Sequence, residues 1–89
     1  MGYNNVSIGT TNTLILSDNP QRLSLVVVNN GSNTVYIGPD TSVTTANGIK
    51  IVASGTYSED SGGTKMYCGP FYGIASDGTT IVAYWERTR

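Results

Sequence analysis

The chain has 89 residues, five Lys plus Arg against six Asp plus Glu, a formal net charge of -1 and 12% charged residues. That length fits one domain, 1–89, with a core of modest stability, and the sparse, balanced charge excludes a phosphate backbone as the main partner, because such binding rests on clustered Lys and Arg. The lack of histidine and the single cysteine exclude histidine-based triads, His-containing zinc sites, an internal disulfide and a Cys-x-x-Cys pair.

No stretch sustains helical periodicity. β-Branched and aromatic residues instead cluster in short runs, which predicts eight or nine strands. Residues 5–9 form a short polar strand within an N-terminal segment, 1–12, that is a candidate arm. Residues 13–17 carry Leu14, Ile15 and Leu16. Residues 22–28 are the strongest run, with Leu23, Leu25 and Val27 on one face and Val26 and Val28 on the other, as expected of a strand covered on both sides. Asn29-Asn30-Gly31-Ser32-Asn33 then predicts a tight hairpin with positive φ at Gly31, leading into 33–38 with Val35, Tyr36 and Ile37.

Residues 41–47 are Thr-rich and predict a surface connection. Residues 48–53 carry Ile49, Ile51 and Val52, and 56–58 is a weak strand. The stretch 54–64 holds Glu59, Asp60, Gly62 and Gly63 and reads as a solvated loop, one suited to docking on a neighbouring subunit. Strands at 64–68 and 71–75 flank Gly69-Pro70, with Cys68 expected as a buried small hydrophobe. Ser76-Asp77-Gly78-Thr79 predicts a second turn of positive φ. Residues 80–86 alternate Ile81, Ala83 and Trp85 against Val82, Tyr84 and Glu86.

Short strands at this spacing predict an all-β fold: a single small antiparallel β-sandwich, immunoglobulin-like or jelly-roll-like, of about eight strands. Trp85, with Ile81 and Ala83, is assigned to the core. Val82 and Tyr84, on the other face of that strand, become an interface patch if they lie uncovered, and Glu59, Asp60, Gly62 and Gly63 complete the candidate interface. Ser, Thr and Asn make up 29 of the 89 residues. Such side chains lose little rotamer entropy when a partner covers them, which suits an assembly subunit.

The sequence offers no catalytic, cofactor-binding or metal-binding set. It has neither GxGxxG nor GxxxxGK[ST], and no EF-hand pattern. Asp18, Asp40 and Asp77 sit in turns, where Asp bonds to nearby backbone. A glycosidase needs two facing carboxylates. The candidates are Glu59, Asp60, Asp77 and Glu86, of which the adjacent Glu59 and Asp60 alternate faces in an extended chain. No apolar stretch has the length of a membrane span and no secretory signal pattern is present, so the sequons at Asn5 and Asn30 read as chance.

The run Arg22-Leu23-Ser24-Leu25-Val26-Val27-Val28-Asn29-Asn30-Gly31-Ser32-Asn33-Thr34-Val35-Tyr36-Ile37-Gly38 is followed by Ser42-Val43-Thr44-Thr45-Ala46-Asn47-Gly48-Ile49-Lys50-Ile51. Phe71-Tyr72-Gly73-Ile74-Ala75-Ser76-Asp77-Gly78-Thr79-Thr80 comes later. Over about residues 22–86 this pattern resembles small β-sandwich structural proteins of tailed bacteriophages: capsid decoration, head-fibre and tail-associated domains. The resemblance implies a non-enzymatic virion protein, assembled in the host cytoplasm, that binds the major capsid protein or another virion protein. It implies a homo-oligomer, a trimer by preference, that clamps capsomer junctions without a cofactor, nucleic acid or membrane. The alternative is a carbohydrate- or receptor-binding module of a phage tail or fibre, with exposed tyrosines stacking on sugar rings.

Overall fold

The computed structural model describes residues 2–60 and 68–88. Among them are eight strands: β1 (Gly2–Ile8), β2 (Thr13–Leu16), β3 (Arg22–Asn29), β4 (Val35–Gly38), β5 (Ile49–Ile51), β6 (Thr56–Asp60), β7 (Phe71–Ala75) and β8 (Thr80–Thr88). They form two antiparallel sheets, ordered β1-β8-β3-β6 and β2-β7-β4-β5. The pairing is nested: β4 with β5, β3 with β6, β2 with β7, β1 with β8. Folding that long hairpin over itself also brings β3 against β8 and β4 against β7. Of the two sandwiches expected, this is the eight-stranded jelly-roll order.

The two sheets face each other across one core. The first sheet contributes Ile8, Leu25, Val27 and Val82, with Val6, Tyr57 and Tyr84 packed against them. The second contributes Ile15, Leu16, Val35, Ile37, Ile51, Phe71 and Ala75. Two irregularities in register set which residues reach it. Between Leu14 and Leu16 the shift lets the adjacent Ile15 and Leu16 both turn inward while Leu14 stays outside. Between Arg22 and Ser24, two residues of β3 oppose one of β8. The bulge brings Arg22 onto the same inner face as Leu25 and Val27, where strict alternation places it outside with Ser24.

Several expectations change here. Residues 29–33 do not make a hairpin: they link β3 to β4, which lie in different sheets, and residues 76–79 link β7 to β8 in the same way. Asn- and Gly-rich sequence marks a reversal but carries no information on whether the two flanking strands pair. Positive φ holds at Gly78 (φ 59) and not at Gly31. Gly31 is required for another reason: a Cβ there collides with the Thr80 side chain at Oγ1. The stretch expected as an N-terminal arm is, over Gly2–Ile8, an edge strand in continuous register with β8. Glu59 and Asp60, assigned to a loop, end β6 opposite Leu25 and Ser24. Their polarity argues locally against a strand, and long-range pairing overrides it. Cys68 is half-buried and outside any strand, and 64–67 lie outside the described residues.

The two links are stitched together by Asn29, which is fully buried at the end of β3. Its Nδ2 donates to Asn33 O (2.7 Å) and Ile51 O (3.0 Å), and its Oδ1 accepts from Gly31 N (3.1 Å) and Thr80 Oγ1 (2.9 Å). Asn33 Nδ2 and Asn30 N reach across to Thr79 O (3.2 Å) and Ile81 O (2.9 Å). A buried amide is tolerated because each of its polar atoms is used.

Candidate functional site

The outer face of the first sheet departs from what a sandwich ordinarily presents to water. Outward-facing residues of antiparallel sheets are usually polar. Here the two central strands place Val26 opposite Trp85 and Val28 opposite Ala83. Ile81 continues the strip, and Ile81 and Trp85 are 47% and 45% exposed. The flanking strands are polar beside most of the strip, with Tyr3 of β1 pairing with Trp85. On β1, Asn5 and Ser7 stand beside Ala83 and Ile81; on β6, Ser58 and Thr56 stand beside Val26 and Val28. An apolar centre within a neutral polar rim is the anatomy of a protein interface. A shallow depression of about 280 Å³ lies along the strip, lined by Val26, Val28, Asn30, Ala83, Tyr84 and Trp85.

The candidate patch read from the sequence is thereby corrected. Val82 has no exposed surface and Tyr84 packs on the core, so the face carrying them is the inner one and Trp85 is not a core residue. The inner row of β8 begins at Thr80 and ends at Glu86, two polar residues that make it look like the solvated side. Both are satisfied by polar residues at the ends of β3. Thr80 bonds Asn29, and Glu86 Oε2 accepts from Arg22 Nε at 2.7 Å. The signal that finds these partners is long-range, since Arg22 and Glu86 lie at opposite ends of the sequence.

The Arg22 guanidinium is wholly buried. Beyond Glu86 it donates to Gly69 O and Ser17 O (both 2.9 Å) and lies over the Phe71 ring, 5.8 Å from its centroid. Glu86 is thus committed to a structural ion pair. Glu59 faces inward across β3 from it, both carboxylates flanking Leu25. Tyr57 Oη donates a long hydrogen bond (3.4 Å) to Glu59 Oε2, while Glu59 Oε1 is buried with no hydrogen-bond partner. Burial first, then the charge of Glu59 and its hydrogen bond, raise the Tyr57 hydroxyl above the ordinary tyrosine pKa. Asp60 closes β6, and Gly62 and Gly63 lie outside the described residues. The structure therefore does not gather Val82, Tyr84 and Glu59 into one exposed patch.

Of the turn aspartates, Asp40 behaves as its position predicts. Its Oδ1 accepts from Ser42 N (2.9 Å) and from the Ser42 hydroxyl, and these two bonds, the hydroxyl's the larger, lower its pKa. Among the described residues no three Cys, Asp or Glu side chains converge as metal ligands do.

The second sheet also has an apolar outer face. Leu14 stands beside Tyr72, and Tyr36 lies between Ile74 and Lys50. Leu14 is 42% exposed and the two tyrosines and Ile74 are half-buried. Among the described residues nothing covers either apolar outer face, which distinguishes this chain from a sandwich with one dry and one wet side to each sheet. No protein family, curated protein or solved structure matches the chain.

Proposed function

We propose that this chain is a non-enzymatic structural protein of a virion, a capsid decoration or stabilising subunit that binds the particle surface as a homo-oligomer. The observation that carries the reading is the Val26–Val28–Ala83–Trp85 strip on the outer face of a sheet whose inner face already holds the core. Apolar area of that kind is stabilised by a second protein surface. The outer face of the second sheet, with Leu14, Tyr36, Tyr72 and Ile74, supplies a further apolar surface for a lattice. The jelly roll is at home in viral coat proteins, although a fold alone assigns no function. The resemblance over residues 22–86 points the same way.

Cosedimentation with purified particles from the same source tests this reading. Binding at a fixed number of copies per particle, and a higher temperature for particle rupture once bound, are the expected results. No binding, with the chain absent from intact particles, rejects it.

The second reading, a carbohydrate-binding module, draws on Trp85 standing beside a shallow depression that also holds Asn30. An aromatic face with an adjacent amide is a common sugar-binding pair, and jelly rolls also serve lectins. A glycan array separates the two: specific sugar binding without affinity for particles favours the module.

A further inference from the structure

We infer that the outer face of the first sheet is the contact between two copies of this chain, related by a two-fold axis, with Trp85 of each copy seated in the depression on the other. The inference rests on the homo-oligomer part of the reading above and replaces its three-fold preference with a two-fold pair.

The first reason is self-complementarity. A two-fold interface uses one patch twice, so that patch must carry both a projection and the recess that receives it. Trp85, 45% exposed, is one of the residues lining the 280 Å³ depression, together with Val26, Val28 and Ala83. A cavity of about 150 Å³ takes a benzene ring. An indole, with nine ring atoms against six, needs roughly 225 Å³ by the same measure. The shallow depression has volume for the ring, and its lining apart from Asn30 is apolar or aromatic and gains from excluding water.

The second reason is charge. Beside the strip stand the uncharged Asn5 and Ser7 on one side and Ser58 and Thr56 on the other, while at one end of the face Ser24 pairs with Asp60 and with Arg87. One acid and one base at that end leave no net charge for a partner of strong single-sign charge, and a second copy of the same balanced face meets no net repulsion. Arg87 sits at one end of the strip, opposite Ser24. An axis lying in the interface and across the strands sends the two copies' Arg87 side chains to opposite ends.

The third reason is area and closure. Four strands at about 4.8 Å spacing and eight residues at about 3.3 Å rise give a face of roughly 500 Å² in plan. Two such faces remove about 1,000 Å² or more, the lower bound for a specific contact. Stacking this face on the opposite apolar face of the next copy, by contrast, leaves both patches open at the ends and grows without limit. Pairing like with like closes at two and leaves both second-sheet faces outward.

Trp85 is the one tryptophan in the chain, so its emission reports directly on this contact. Sedimentation velocity and Trp85 emission are to be followed together over a dilution series of the intact chain. The expected result is a two-chain species with blue-shifted, quencher-protected emission that shifts red on dilution as the mass halves. Ala83→Glu, which sets a charge at the centre of the strip, is expected to weaken the pair by about thirtyfold or more with unchanged far-ultraviolet circular dichroism. If that variant does not fold, Trp85→Ser with sedimentation alone takes its place and is expected to weaken the pair likewise. A single-chain or three-chain mass across the series, or a two-chain mass that survives the folded variants, overturns the inference. Particle binding by a chain that stays monomeric overturns it while leaving the virion reading intact.

Discussion

Thr80 Oγ1 donates a 2.9 Å hydrogen bond to Asn29 Oδ1, tying the start of β8 to the end of β3 inside the core. The same amide holds Asn33 O, Ile51 O and Gly31 N. It thereby locks both crossings between the sheets at one end of the sandwich.

Thr80→Val keeps the shape and deletes the donor. It is expected to cost about 1–3 kcal/mol, because Asn29 Oδ1 retains only Gly31 N. Asn29→Leu strands two carbonyls, an N–H and a hydroxyl, and is expected to cost more. Urea denaturation of each variant, with the double variant less costly than the sum, is the measurement.

Gly31 and Gly78 are both glycine for different reasons, and substitution separates them. At Gly78 the constraint is φ, so Gly78→Asn is expected to be nearly neutral and Gly78→Val to cost about 1–2 kcal/mol. At Gly31 the constraint is the approach of Thr80, so even Gly31→Ala is expected to cost about 1–3 kcal/mol from overpacking. Thermal melts of the three variants decide the ranking.

Removing one partner of the Arg22–Glu86 pair leaves a buried charge. Glu86→Ala is expected to destabilise by about 3–5 kcal/mol. Arg22→Met combined with Glu86→Leu is expected to recover much of that loss, since apolar replacement of a whole buried pair is often tolerated. A larger loss in the double variant than in Glu86→Ala rejects this account.

Tyr57 supplies an alkaline signature. Its folded-state pKa is raised above 10.0, the ordinary value. The linked stability is therefore fully present below about pH 10 and is lost as pH climbs through the raised value. Glu59→Gln removes the neighbouring charge and is expected to bring the Tyr57 titration down. It stays above normal, because burial is the largest cause. Nuclear magnetic resonance of ring-labelled tyrosine, with Tyr57→Phe to assign the signal, follows both.

Trp85→Ala is expected to cost about 1 kcal/mol or less in dilute solution, well under the roughly 3–5 kcal/mol of a core tryptophan. A loss in the core range shows that the ring is buried within the single chain.

Most of the architecture was legible because strand signals are local. The alternation in Arg22–Asn29 and Thr80–Thr88 and the Asn/Gly breaks between runs place seven of the strands within two residues or so. By contrast, β1 begins three residues before the 5–9 run, and the strand read at 64–68 lies outside the described residues except for Cys68, which is in no strand. Which face of β8 turns inward was not legible. Trp85 is the largest apolar side chain and Glu86 is charged, so local polarity points the Trp85 face to the core. Arg22 and Asn29 reverse that choice by accepting Glu86 and Thr80 from far along the chain. Val82 and Tyr84 were placed in a candidate interface for the same reason: they lie on the face whose polar ends have hidden partners. The link after Asn29 misled similarly, because turn chemistry is shared by hairpins and sheet crossings.

The nested pairing has a kinetic consequence. β4 and β5 close the shortest loop, and each further pair closes a longer one, ending with β1 on β8. Assembly is expected to proceed from the middle of the chain outward, with refolding on the order of milliseconds to seconds for contacts of such wide sequence separation. A ribosome-bound chain that stops before Thr80 has neither β8 nor the hydroxyl that plugs Asn29. The sandwich thus stays open until β8 is made, and stopped-flow mixing of the 89-residue chain and of a variant without β8 is expected to show a folding phase only in the former.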